Sequence, residues 1–91
     1  MKIYIAGKIS GDSGYYEKFR QAQEELEAQG HIVLNPAELP EGMSKAEYMR
    51  ICFAMVDCAE VVCLLDDWEQ SDGAKLERQY CEYIGKRIFC F

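Results

Sequence analysis

Two rhythms of hydrophobic and polar positions run along the chain. Lys2–Ala6 is a short apolar run containing Ile3, Tyr4 and Ile5 and ending at Gly7, the pattern of a buried strand that enters a loop. After the glycine-rich stretch Gly7–Gly14, the residues Tyr15, Phe19, Ala22 and Leu26 recur at i, i+4, i+7 and i+11. That spacing predicts a helix over Tyr15–Gln29 with one apolar face, and Gly30 is a natural stop for it. His31–Leu34 predicts a second short strand, closed by Asn35-Pro36. Ser44 stands three residues before Glu47, the spacing of a capping box, and opens a second helix over about Lys45–Cys58. Val61–Leu65 is an unbroken apolar strand and Asp66–Asp72 an acidic loop. Gly73–Ile84 is a third helix, and Arg87–Phe91 is a last strand after Gly85.

The order is therefore β-α-β-α-β-α-β, which implies an α/β domain with a parallel sheet and right-handed crossovers. Strands this continuously apolar fit a sheet covered on both faces. In such sheets ligands sit beyond the carboxyl ends of the strands, where strand order reverses. The loops to inspect are Gly7–Gly14, Asn35–Ser44 and Asp66–Gly73. The second helix is more apolar than one core contact requires. Ala46, Met49, Phe53 and Val56 form one stripe, with Tyr48, Cys52 and Met55 beside it, so one stripe is expected to face the sheet and the other a second subunit.

Composition narrows the class. The 91 residues make one domain, and a chain of this length hides only roughly 60–65% of its unfolded surface, so a concave site and a self-sufficient core compete for the same side chains. A homo-oligomer is expected on that ground. Sixteen acids against ten Lys and Arg leave a net charge of −6, which opposes binding to a nucleic acid polymer or an anionic membrane. The apolar runs Val61–Leu65 and Ile51–Val56 fall far short of the ~20 residues that span a bilayer, and the start Met1-Lys2-Ile3-Tyr4 lacks a signal-peptide layout. A cytoplasmic location is expected. Cys52, Cys58, Cys63, Cys81 and Cys90 are odd in number, sit in apolar surroundings and have only His31 to join them, so they read as reduced core residues and not as a disulfide framework or zinc site. No metal and no cofactor is called for.

Three features carry candidate chemistry. On a helical wheel Ala74, Tyr80, Cys81 and Ile84 make an apolar stripe of roughly 120°, and Glu77 falls near its centre. Burying an ion costs several kcal/mol unless it is paired or neutralised, so this glutamate invites a functional explanation; the plainer alternative is a pair with Arg78, Lys75 or Arg50. The first loop holds three glycines in eight positions and, with Lys8, Ser10 and Ser13, can cradle a phosphate, although it matches neither the Walker A nor the Gly-x-Gly-x-x-Gly pattern. A plain turn between strand and helix is the alternative. The acidic segment Asp66–Gly73 can supply an acid or base near Glu77, coordinate a hard cation, or form a solvated loop, with Asp72 capping the third helix. Its Trp68 can stack on a base or lie as a lid over the core.

Together three segments resemble the nucleoside 2-deoxyribosyltransferase-like superfamily, and most closely its small, functionally uncharacterised bacterial and phage branch. They are Ile3-Tyr4-Ile5-Ala6-Gly7-x-Ile9-Ser10-Gly11, Gly30-His31-x-Val33-x-Asn35-Pro36-Ala37 and Asp67-Trp68-Glu69-x-Ser71-x-Gly73-Ala74-x-Leu76-Glu77. The resemblance implies a three-layer flavodoxin-like (Rossmann-like) sheet of strand order 2-1-3-4, with active sites shared between subunits. It also implies that Glu77 is the nucleophile at the sugar's anomeric carbon. Ser71, Gly7, Ile9 and Gly11 would hold a nucleotide phosphate, and Tyr4, Lys8, Ser10, Trp68 and Gly73 join them in the expected binding set. Two positions depart from the superfamily. Cys52 stands near where relatives place a sugar-holding aspartate, and Ser71 stands where the transferases have an aspartate.

The expected activity is cleavage of an N-glycosidic bond in a nucleoside or nucleotide by a retaining route, as a deoxynucleoside 5′-monophosphate N-hydrolase or a deoxyribosyltransferase. Glu77 would attack, with Asp67 or Glu69 protonating the departing base, and two carboxyl groups about 5–5.5 Å apart would suit this geometry. The alternatives are a non-catalytic nucleotide- or phosphosugar-binding domain, and a small interaction protein using the second apolar stripe.

Overall fold

The computed structural model describes residues 1–91. Four parallel strands, β1 (Lys2–Ala6), β2 (Ile32–Leu34), β3 (Val61–Leu64) and β4 (Arg87–Cys90), form one sheet in the order β2-β1-β3-β4. Register is set by Ile3 opposite both Val33 and Val61, and by Val61 opposite Arg87. Three helices connect them: α1 (Tyr15–Ala28), α2 (Lys45–Cys58) and α3 (Asp72–Ile84). Short 3-10 turns lie at Pro36–Glu38 and Trp68–Gln70. The architecture is the three-layer, flavodoxin-like α/β fold expected, with strand order 2-1-3-4.

Alternation along the two central strands builds both halves of the core. Ile3, Ile5, Cys63 and Leu65 pack with Phe19, Ala22 and Leu26 of α1. Tyr4, Ala6, Val62 and Leu64 face the other way and pack with Cys52 and Val56 of α2 and Ala74 and Cys81 of α3. Each large apolar side chain so buried contributes about 1.5–3 kcal/mol. A single helix on the α1 side cannot cover four strands. Phe89, opposite Cys63, therefore stays partly exposed, and the expectation of full cover on both faces fails at β4.

The helix ends follow local chemistry. In α1 the chain leaves the helix at Gln29, and Gly30 takes φ +90°, a left-handed value that suits glycine. At the start of α2 the capping box is complete: Ser44 Oγ accepts from the Glu47 amide at 3.1 Å, and Glu47 Oε1 accepts from the Ser44 amide at 2.8 Å. The third helix begins one residue earlier than expected, and Ser71, not Asp72, is its cap, with Oγ accepting the Ala74 amide at 3.1 Å. The stripes of α2 are also divided differently. Cys52 and Val56, one from each, face the core of the same chain, while Tyr48, Met49, Phe53 and Met55 flank them half-buried. Cys52 thus belongs to this protomer's interior and not to a face free for a second subunit. Of the five cysteines, all unpaired, Cys52, Cys63 and Cys81 are buried but Cys58 and Cys90 are exposed, so the core-residue reading holds for three.

No basic residue stands in the last turn of α2. Lys86, just before β4, takes that place: its ammonium donates to the carbonyls of Val56 at 2.8 Å, Asp57 at 3.3 Å and Ala59. It thereby satisfies the orphaned acceptors and the negative end of the helix, and ties α2 to β4. Replacing it by methionine (Lys86→Met) is expected to lower stability by about 1–3 kcal/mol, read as a fall in the denaturation midpoint at constant m value. An unchanged midpoint would remove the cap from this role.

Candidate functional site

Because β1 continues to β2 on one side and β3 lies on the other, strand order reverses between β1 and β3. A cleft of about 1040 Å³ opens above their carboxyl ends. One wall is the first loop from Gly7 to Ser13, the opposite wall is the start of α3 with Ser71, Gly73 and Ala74, and α2 closes the side with Lys45, Tyr48, Met49 and Cys52. The floor is formed by Tyr4 and Glu77.

Glu77 is only 5% exposed, one turn into α3 and on its core-facing side between Ala74 and Cys81. Its partner is a phenol. Tyr4 Oη donates to Glu77 Oε2 at 2.8 Å, and the Cys52 thiol adjoins both groups. None of the cations considered from the sequence pairs with Glu77: Arg78 pairs with Glu82 and lies over the Trp68 ring at 4.9 Å, Lys75 pairs with Asp72 at 3.6 Å, and Arg50 is exposed on α2. Glu77 is a buried carboxyl with no counter-ion. Burial pushes its pKa up to about 7, and the hydrogen bond from Tyr4 and the neighbouring Cys52 thiol, which favour the ionised form, only partly restrain that rise. Burial likewise pushes Cys52 up to about 11 and Tyr4 well above the usual tyrosine range, so both remain protonated donors at neutral pH.

The expected binding residues of the first loop, Gly7, Lys8, Ile9, Ser10 and Gly11, all line the cleft, as do Tyr4, Ser71 and Gly73. Gly7 permits close approach of two loops, since a Cβ there would meet Leu65 Cδ1 at 2.9 Å and Asp67 Oδ1 at 3.1 Å. The Ser71 hydroxyl spends an acceptor lone pair on its cap, which leaves its proton free for a ligand. Three expected residues are absent from the lining. Trp68 packs half-buried against the α2/α3 side of the core under Arg78, in the manner of a cover for the core. Glu69 is exposed on the 3-10 turn outside the cleft. Asp67 is engaged behind the first loop, where Oδ1 accepts the Lys8 amide at 3.0 Å and Oδ2 pairs with Lys18. Neither acid lines the cleft.

Sequence reading missed Lys18, Asp12 and the direct Tyr4–Glu77 bond. Lys18 sits on the polar side of α1, where a lysine is unremarkable, and its only signal is Asp12 six residues earlier. Its ammonium pairs with Asp12 at 2.7 Å as well as with Asp67. Partial burial works against that charge, and the two carboxylates outweigh it and hold the ammonium above the ordinary lysine range. The potential metal-binding residues do not gather into a cluster of three or more.

The fold and the cleft at its switch point define a class. The chain superposes with a TM-score of 0.78 on a 2-deoxyribosyltransferase from the psychrotolerant bacterium Bacillus psychrosaccharolyticus, at 19% identity, over 100% of this chain and 72% of that one. The two share a fold. The chain belongs to the DUF4406 family, a domain of unknown function, whose profile matches residues 1–90. No curated protein matches it. No helix is long and apolar enough to cross a membrane.

The pKa of Glu77 sets a stability prediction. In the fold it stands near 7, above the 4.5 of an ordinary glutamate, so the protonated form is favoured by folding and the associated stability is present in full below about pH 4.5. That stability is lost as pH rises through about 7. Glu77→Gln, a neutral stand-in, should therefore match the wild type at pH 4.5 and exceed it by up to about 3 kcal/mol at pH 8, measured by urea denaturation. A variant less stable than the wild type at pH 8 would show that the carboxylate is compensated.

Proposed function

We propose that the protein cleaves the N-glycosidic bond of a nucleoside or nucleotide, as an N-hydrolase or deoxyribosyltransferase, with Glu77 as nucleophile. On this reading the chain groups with the small bacterial and phage branch of the nucleoside 2-deoxyribosyltransferase-like superfamily. The observation that carries the proposal is Glu77 itself: a carboxyl without a counter-ion, on the floor of the largest cleft, at the switch point of the sheet. It is held by a phenol that fixes its orientation and leaves it half-ionised near neutrality.

In the forward step the ionised Glu77 attacks the anomeric carbon while the bond to the base breaks, and the glycosyl ester then reacts with water or with a second base. Tyr4 holds one carboxylate oxygen so that the other points at the sugar, and Cys52 supplies a small, neutral wall. Lys8, Ser10 and the Ser71 hydroxyl supply donors for the far end of the ligand, where a 5′-phosphate would lie. Asp67 is committed to Lys18, so the departing base takes its proton from water in the open cleft. The same reading places the protein in the cytoplasm as a homo-oligomer, for which Leu76, Ile84 and Tyr83 of α3 provide exposed apolar contacts.

Release of free base from a panel of nucleosides and 5′-monophosphates tests this. Glu77→Gln should lower turnover by at least about a thousandfold without loss of folding. In the wild type kcat/KM should rise with pH through about 7 and then level, because the attacking form is the carboxylate. Unchanged turnover in Glu77→Gln would remove the nucleophile. A wild type whose Tm rises with nucleotide but which never releases base would establish a binding domain instead, a reading favoured by the lack of a second acid beside Glu77 in the expected positions.

A further inference from the structure

The first loop presents a structural problem that its own residues do not solve. It carries three glycines in eight positions, so it has much conformational freedom to lose, yet it forms a whole wall of the cleft. Its anchorage comes from behind. Lys18, on the second turn of α1, donates to the Lys8 carbonyl at 3.1 Å and pairs with Asp12 at 2.7 Å and with Asp67. Asp67 in turn accepts the Lys8 amide, and Asp12 Oδ1 accepts the Gly14 amide at 2.9 Å. The Lys8 peptide is thus gripped at both its N–H and its C=O, once by each member of the Lys18–Asp67 pair.

We propose that Lys18 is a positioning residue of the site: by bridging Asp12, Asp67 and the Lys8 carbonyl, it locks the first loop to the β3–α3 connection, so that Lys8, Ser10 and Ser13 meet the ligand in one arrangement. Three features support this. Lys18 and Asp67 do not themselves line the cleft, so the charges they hold are spent on the loop and not on the ligand. The pair is sheltered, with side chains 26% and 17% exposed, unlike the open helix-surface pair of Arg20 with Glu17 and Glu24. The clamp also connects the two loops that flank the point where strand order reverses, and Gly7 lets them approach closely enough to be joined. Asp67 consequently changes role, from proton donor to anchor.

The kinetic arm of the test rests on the proposed glycosidic activity; the exchange arm does not. Lys18→Met should raise KM for the preferred nucleoside or nucleotide about tenfold while kcat stays within about threefold, because ligand contacts are loosened and the chemistry at Glu77 is untouched. Lys18→Arg, which can still bridge two carboxylates, should recover most of the loss. Amide hydrogen exchange over residues 7–14 should quicken about tenfold or more in Lys18→Met, with exchange in α3 and the central strands unchanged. If that variant does not fold, Asp67→Asn, which keeps the acceptor for the Lys8 amide and removes the charge, gives the same comparison. Unaltered exchange in the loop, or a fall in kcat as large as the rise in KM, would overturn the clamp. A wild type that neither turns over nor binds any nucleoside would defeat the proposed function alone, and the exchange result would still decide for or against the clamp.

Discussion

The bond between Tyr4 and Glu77 joins residues 73 apart and holds the first strand to the last helix. It lies at the base of the cleft, in the layer of core between the sheet and the α2/α3 pair, where burial makes an ionised carboxylate costly. The phenol is the one strong donor offered to it, with a weaker thiol alongside. Everything above this point is arranged around that choice. The helix must start early enough for Glu77 to lie one turn in, Ser71 must cap it there, and α2 must bring a side chain as small as Cys52 against the pair. A larger residue at 52 would overpack the layer, and an acid there would put a second charge beside a carboxyl already near its titration point.

The ligand side of the sheet and its opposite end are stabilised in different ways. At the amino ends of the strands, Lys2 donates its amide to Glu60, and Lys86 seals the end of α2, so the polar groups there are satisfied by local caps. At the carboxyl ends, the polar groups of the loops are satisfied from the rear, chiefly through Lys18 and Asp67, and the inner surface is left available. This asymmetry leaves a cleft open at one end of the sheet and closes the other.

Much of this architecture is legible in the amino acids. Continuous apolar strands, a capping box and a glycine stop are local signals, and each element they mark is present within a residue or two of its expected limits. Glu77 is legible too, because the 100° periodicity of α3 places it on the apolar side whatever it contacts. Partners are harder to read. Periodicity shows that Glu77 is buried but not that Tyr4 meets it, since that contact depends on where β1 lies in the sheet. Asp67 and Trp68 mislead for the same reason: an acidic, aromatic loop beside a candidate glutamate looks like a reaction site, while a lysine on the far helix and an arginine on α3 take up both residues. The stripes of α2 were ambiguous because both were apolar, and only the direction of packing shows that the seam between them faces inward.

Both strands at the edges of the sheet are short, three residues in β2 and four in β4, although each carries exposed apolar side chains, Ile32 on one and Phe89 on the other. An open strand edge is a template on which another chain can add its own backbone. On the β2 side the template is brief, because the chain turns away from it at Asn35-Pro36. At the margin that carries Ile32, protection against uncontrolled strand addition thereby comes from the shortness of β2, which has no charge along it, whereas β4 carries the exposed Arg87.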